Sequence, residues 1–215
     1  MTSGGARSTR TAETRDAILT VAERLYAERG LHAVSNRQVS EAAGQGNNAA
    51  VGYHFGTKAD LVRAIVVKHS AEIEEARIRM VGLVGEADDL RDWVTCLIRP
   101  YTDHLDELGS PSWYGRFTVQ VVADPALRSV AYEHAGGSDS LRTTLAGLSR
   151  CLPDLPLDVR RARGAMARNL LMNVCAEREA DFAEQHPERP ASWQDCGTDL
   201  IDATVGLWQA PVTRR

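Results

Sequence analysis

Residues 44–58 read GQGNNAAVGYHFGTK: small residues, three amides, then an aromatic–histidine–aromatic run closed by glycine. Just upstream, Ser35-Asn36-Arg37-Gln38 has the form of a capping box, in which the serine hydroxyl accepts from the Gln38 backbone and the amide reaches back. That box opens a short helix through Ala43, which Gly44 ends. A capped short helix, a glycine turn and a second short helix form a helix-turn-helix, whose second helix enters the DNA major groove. Ala49, Ala50 and Gly52 keep that helix slim enough to approach bases. Gln45, Asn47 and Asn48 supply amides, which pair with adenine edges or donate to phosphates, and one asparagine is expected to cap the helix. Val51 and Phe55, four apart, face inward against Ile18, Val39 and Leu61. Tyr53 and His54 then face outward, where O–H and ring N–H suit phosphate oxygens, and Lys58 adds a charge-assisted contact. Bland readings stand beside these. The stretch also fits a plain turn in a helical bundle, His54 a structural cap, Ser35 a helix cap alone, and Arg37 a solvated charge instead of a phosphate ligand.

Outward from this stretch the pattern stays helical. Ile18, Val21, Ala22 and Leu25 recur at i, i+3, i+4, i+7 in a helix that starts near Glu13 and stops at Gly30. Residues 1–10 offer nothing to bury and read as a disordered arm, with Arg7 and Arg10 more an idle tail than a minor-groove arm. C-terminally, Leu61, Val62, Ile65 and Val66 open a long helix to about Met80. Further helices are expected at 89–108, from the Ser110-Pro111 cap to 122, at 125–135, 138–152, 158–185 and 192–209. Alternating β-branched runs bounded by turns are missing, so the chain is read as all-α.

Bulk composition narrows the function classes. The chain has 215 residues, 43% hydrophobic and 25% charged, in keeping with an ordinary globular protein. A net charge of -4 makes any nucleic-acid surface a local patch. Residues 1–60 carry 7 Arg/Lys against 6 Asp/Glu, so this front is weakly basic relative to the rest. Cys96, Cys151, Cys175 and Cys196 are widely spaced and read as buried small hydrophobes in a reducing compartment. With a polar start and no apolar run of about 20 residues, a cytoplasmic protein without membrane contact is expected. No nucleophile elbow, zincin, phosphate-loop or clustered Cys/His pattern occurs, so neither catalysis, metal nor cofactor is expected. His104 beside Asp103 and Asp106, and the Glu133-His134 pair, are read as surface solvation.

The run AILTVAERLYAERGLHAVSNRQVSEAAG followed by YHFGTKADLVRAI resembles the DNA-binding domain of the tetracycline-repressor (TetR) family over residues 12–66. The resemblance implies an N-terminal three-helix helix-turn-helix domain (1–57) and a C-terminal helical ligand-binding and dimerisation domain (58–215). It also implies a homodimer on double-stranded operator DNA, more a repressor than an activator, released by a small-molecule effector. Where relatives often carry an aromatic or polar side chain before the tyrosine, this chain has Gly52. For the ligand pocket the aromatic concentration Trp93, Tyr101, His104, Trp113, Tyr114 and Phe117 is the candidate, with Met166, Leu170 and Met172 on a later helix, plain core being the alternative. For the dimer the candidates are the stripes Ala162–Met166–Leu170–Val174 and Leu200–Ile201–Thr204–Leu207–Trp208, either of which could instead pack internally.

Overall fold

The computed structural model describes residues 3–44, 49–86, 88–131, 137–152, 154–184 and 192–213, and these are helical with no strand among them. The helices are α1 (Ser3–Arg29), α2 (Asn36–Ala42), α3 (Ala50–Phe55), α4 (Lys58–Val84) and α5 (Leu90–Leu108). They continue with α6 (Tyr114–Ala123), α7 (Asp139–Cys151), α8 (Leu157–Ala183) and α9 (Trp193–Gln209). Residues 128–131 add a helical turn.

Local chemistry sets most boundaries. Capping boxes start α2 (Ser35 with Gln38), α4 (Thr57 with Asp60) and α9 (Ser192 with Asp195), each satisfying orphan N–H groups of the first turn. Gly30, Gly56 and Gly109 take positive φ just past helix ends. Two expectations need correcting. Residues 3–10, read as a disordered arm, form the first turns of α1, since nothing in that stretch is a proline and the helix can propagate back from the buried Ile18 turn. The helix expected from Ser110-Pro111 begins instead at Tyr114. There the buried Glu179 carboxylate of α8 accepts from Gly115 N (3.0 Å), Arg116 N (2.9 Å) and the Ser112 hydroxyl (2.9 Å), with the Arg116 guanidinium at 3.1 Å. A carboxylate at a helix N-terminus meets both the unpaired N–H groups and the dipole.

α1, α2, α3 and the first turns of α4 enclose Ile18, Ala22, Leu25, Tyr26, Leu31, Val34, Val39, Val51, Leu61 and Ile65, all buried. Behind this head, α5 is the central rod, packed by α4, α7 and most extensively by α9, while α8 lies along α6. Trp93 of α5 is fully buried under α7, where only a glycine fits. A Cβ on Gly147 would sit 2.2 Å from the indole. Arg99 clasps α5 to α9 through Gln194 O (2.9 Å) and the Thr198 hydroxyl (2.6 Å). Cys96, Cys175 and Cys196 are buried and Cys151 half-buried, all as free thiols.

The two stripes expected at a dimer surface differ. On α9, Leu200, Ile201, Thr204 and Trp208 are buried against their own chain, because that face meets α5. On α8, Met166 is 51% exposed, and Ala162, Leu170 and Val174 are only half-buried.

Candidate nucleic-acid interface and internal cavity

α3 is six residues long and would be marginal alone. Its N-cap, Ala49, makes no side-chain cap hydrogen bond. Ser40, wholly buried on α2, takes that part: its hydroxyl accepts from Val51 N (3.3 Å) and donates to Asn36 O (3.1 Å). One hydroxyl thus fixes the angle between the two helices of the motif. Ser40 lies in a stretch that reads only as a helix interior, and the periodicity carries no signal of this role.

The inward face of α3 is Ala50 and Val51, with Phe55 half-buried beneath the Arg15 guanidinium of α1, 4.3 Å above its ring. Ala50, expected to thin the outer face, therefore belongs to the inner one, since it neighbours the fully buried Val51. Arg15 also donates to the His54 carbonyl, so α1 holds the C-terminal end of α3 by two contacts. The outer face is Ala49, Gly52 and Tyr53. Tyr53 is 83% exposed, and the half-buried His54 ring sits edge-on to it at 4.9 Å. Gln45, Asn47 and Asn48 lie outside the described residues.

Around this face the charges are partly engaged. Ser35 is exposed and occupied in its capping box. Arg37, also exposed, pairs with Glu41 one turn on (2.8 Å), and that bond raises its pKa above the ordinary value. Lys58, expected to reach for phosphate, is turned inward. Its ammonium donates to the Leu31 carbonyl (2.6 Å) and lies 5.7 Å from the Tyr26 ring centre. Burial lowers its pKa while the charge of Asp124 opposes that. The turn between α1 and α2 attracts it because the carbonyl, the aromatic face and a carboxylate converge there. Asp124, buried at the end of α6, in turn holds His32 of the same turn at 2.9 Å.

Behind the head, a cavity of about 620 Å³ opens between α4, α6, α7 and α8. Val66, Ile73, Val121, Val122, Leu141 and Met172 make apolar walls. Of the residues expected to line a pocket, Tyr101, Tyr114 and Met172 border it. The others lie elsewhere: Trp93 under α7, Phe117 stacked between Tyr26 and Tyr114, Trp113 at the start of α6, Met166 exposed on α8 and Leu170 half-buried against the core. Helical spacing located the aromatic mass but not which side of each helix faces empty space. Polar lining residues that spacing gave no reason to single out are Ser70, Glu74, Arg77 and Thr118.

His104 is neither at the cavity nor on the surface. It is buried, and its Nε2 lies 2.8 Å from Nδ1 of His69, whose Nε2 is 2.7 Å from Glu23 of α1. On its other side Glu72 stands 3.1 Å from Nδ1. A line of four titratable side chains therefore runs from α1 through α4 to α5 and back to α4. Tyr114 stacks on His69 at 3.9 Å, which puts a cavity-lining ring against this line. Burial, then the neighbouring His69, push the His104 pKa down to about 4. The residues were all visible in the sequence. Their meeting, across separations of 35 and 46 positions, was not.

Among the described residues no helix is long and apolar enough to cross a membrane, and no group of three or more His, Cys, Asp or Glu is arranged to hold a metal.

Comparison with known proteins agrees with this geometry. Residues 18–65 match the model of the tetR family of bacterial regulatory proteins, a span that runs from the buried Ile18 of α1 into α4. No curated protein matches the chain. Similar folds occur in a TetR-family regulator from Streptomyces coelicolor (21% identity, TM-score 0.50, covering 93% of this chain and 96% of that one). They occur also in the TetR-family transcriptional regulator PfmR from Thermus thermophilus (16% identity, TM-score 0.53, covering 93% and 98%). A candidate TetR-family regulator from Mesorhizobium loti is similar in the same way (15% identity, TM-score 0.54, covering 92% and 96%). At these identities the likeness is one of fold, and the assignment rests on the helix-turn-helix segment. Residues 18–65, the helix-turn-helix segment, are therefore what this chain shares with the bacterial regulatory proteins of the tetR family.

Proposed function

We propose that the protein is a cytoplasmic homodimeric repressor that grips a palindromic operator and lets go when a small molecule fills the internal cavity. In this reading residues 1–57 read DNA and residues 58–215 sense the ligand and dimerise. The observation that carries it is the two-sidedness of α3: a locked inner face and an outer face of Ala49, Gly52 and an 83% exposed Tyr53 that nothing described covers. A helix bare on that side can approach the floor of a groove. Tyr53, His54, Ser35 and Arg37 stand beside it for phosphates, with Gln45, Asn47 and Asn48 the candidates for bases. Lys58 acts mainly by holding the α1–α2 turn to α4.

The release mechanism follows from α4. Its first turns belong to the head core, while Val66, Ser70, Ile73, Glu74, Arg77 and Ile78 farther along it border the cavity. At about 1.5 Å per residue its 27 residues form a rod of roughly 40 Å. The second link is α6, with Val121 and Val122 at the cavity and Asp124 on His32 of the head. A ligand that favours a shifted α4 or α6 changes the separation of the two heads, which must sit about 34–36 Å apart or a multiple to fit one face of DNA. It shifts that population only by its differential affinity for the two forms. The exposed Met166 with Leu170 and Val174 on α8 supports a dimer through that helix.

Selection of bound fragments from genomic DNA, followed by salt-dependent anisotropy on the best site, tests the reading. A palindrome with helical-turn spacing and a steep loss of affinity with salt is expected. Binding with no half-site repeat would overturn the dimeric operator complex.

A further inference from the structure

The line of four titratable side chains at the junction of head and body has more contacts than protons. Glu23 of α1 stands 2.7 Å from His69 of α4, His69 stands 2.8 Å from His104 of α5, and His104 stands 3.1 Å from Glu72 of α4. A carboxylate only accepts, and a neutral imidazole carries one N–H and one bare nitrogen. With both rings neutral, His69 donates from Nε2 to Glu23, and His104 donates from Nε2 to the bare Nδ1 of His69. The remaining nitrogen, His104 Nδ1, is then a lone pair turned toward the Glu72 carboxylate. It is buried, and it makes no hydrogen bond with any described residue. An acceptor left in that state is costly.

One further proton completes the line. Placed on His69, it lets that ring donate at both ends, to Glu23 and to His104 Nε2. His104 then carries its single hydrogen on Nδ1 and donates to Glu72. Burial, then the neighbouring His69, push the His104 pKa down to about 4, so His104 stays the neutral middle and the charge sits on His69. There it pairs with the carboxylate of Glu23 instead of adding a lone buried charge. Glu23, His69 and His104 are buried, whereas the Glu72 side chain is 61% exposed and opens the line to water. From α6, Tyr114 stacks on His69 and meets His104 edge-on at 5.8 Å, and burial keeps its phenol neutral. Of the charged neighbours on the line's own helices, Lys68, Asp106 and Glu107 are exposed and Asp103 is engaged by Gln194.

We infer that this line is a proton-operated latch: in acid it takes up one proton through Glu72, keeps it on His69, and by bonding at all three junctions fixes α1 to α4 and α5 in the pose that grips DNA. This rests on the reading of the protein as an operator-binding regulator and adds a way of regulating it. α1 carries the effect to α3, because Arg15, about two turns before Glu23, donates to the His54 carbonyl and covers the Phe55 ring. The Glu23–His69 bond becomes charge-assisted and stronger, and a head fixed beforehand loses less freedom when it binds.

The test begins with ring-nitrogen NMR of the full-length protein, labelled with 15N in its six histidines, between about pH 8 and 5, where imidazoles change charge. His69→Gln and His104→Gln assign the two signals. At the alkaline end both rings are expected to carry hydrogen on Nε2. Toward acid His69 should gain a second hydrogen while His104 moves its own to Nδ1. No change in either ring, or charge appearing on His104, overturns the latch. Anisotropy at constant salt reads the consequence. The parent's operator affinity is expected to rise toward acid by about tenfold more than that of His69→Gln, the worth of one hydrogen bond. His54, beside α3, adds the same slope to both proteins. Glu72→Gln is the sharper variant, since its amide N–H can donate to His104 Nδ1 with no added proton. It should bind about tenfold more tightly than the parent at pH 8 and lose the extra slope, while Glu75→Gln, the same charge change on the exposed face of α4, should do neither. Glu72→Gln behaving like the parent, or an affinity that falls toward acid, overturns the inference. Ring nitrogens that behave as expected in a protein that grips no DNA at any pH would instead sink the regulator reading and leave the proton relay standing.

Discussion

The head and the body of this molecule are held together at different ranges. In the head, the bonds that set the caps and the α2–α3 angle are short in sequence: Ser35 to Gln38, Thr57 to Asp60, and Ser40 to Val51, eleven positions away, with Lys58 to Leu31 (27) and Arg15 to His54 (39) reaching farther. In the body they are long. Glu179 reaches back 64 to Gly115, Arg99 reaches forward 95 to Gln194, and Arg163 grips the Trp208 carbonyl (2.7 Å) across 45. A head assembled largely from such local contacts holds its shape with little help from the body. A body stitched by a few distant polar clasps has discrete places at which it can give.

The largest effect is therefore expected at a clasp. Glu179→Ala would leave Gly115 N, Arg116 N and the Ser112 hydroxyl without their acceptor in a buried place. Removing one partner of such a buried charged network costs about 3–5 kcal/mol. Urea denaturation should show that loss, with Glu179→Gln retaining part of it by accepting through its amide oxygen. A cost below about 1 kcal/mol would mean that α6 does not depend on α8, and the contrast between the halves would fail.

Next in size is a pH effect at the junction. His104 has a folded-state pKa near 4 against the ordinary 6.5, through burial first and the neighbouring His69 second. The unfolded chain thus binds a proton on this residue between pH 6.5 and 4 that the folded chain refuses. Stability from this group is complete above pH 6.5 and lost as pH falls through that window. Groups facing it are His69, Glu72 and Tyr114, and Glu23 lies beyond His69. His104→Gln, which cannot titrate, should flatten the pH dependence of the urea midpoint between 6.5 and 4. An unchanged slope in that variant would place the titration elsewhere.

Smaller still is Ser40→Ala, which takes the acceptor from Val51 N and should cost about 1 kcal/mol. The contrast sharpens if operator affinity falls by more than global stability does. That outcome means the hydroxyl sets the angle of α3 and not only its presence.

This division also governs what could be read from residues alone. The helix-turn-helix was legible because its signals are local: a capping box, a glycine exit, apolar residues at i, i+4. The inward turn of Lys58 was not, because the Leu31 carbonyl and Tyr26 ring that draw it lie 27 and 32 positions upstream. The aromatic residues of α5 and α6 were correctly seen as a mass and wrongly distributed. Tyr101 and Trp93 share a helix, yet one meets the cavity and the other meets Gly147 of α7. Periodicity tells which residues are buried on a helix; it is silent on whether the neighbour is a side chain or a void. His69 went unremarked for the same reason, since a lone histidine in a helix acquires meaning only from partners 35 and 46 residues distant.

The smallest expected effect tests the exposed face of α3 most directly. Gly52 is helical, with no positive φ, and a Cβ built there meets nothing within 4 Å in the free protein. Gly52→Ala should then stabilise the head by up to about 1 kcal/mol, the helix-propensity difference. If α3 enters the groove by this face, the added methyl stands between backbone and base edges. Operator affinity should stay flat or drop although the free protein is more stable. Were the variant to bind DNA more tightly in step with its stability, Gly52 would face away from the duplex and Tyr53 with it. The opposite signs of the two measurements, not the size of either, separate a helix kept thin for DNA from one that merely happens to be thin.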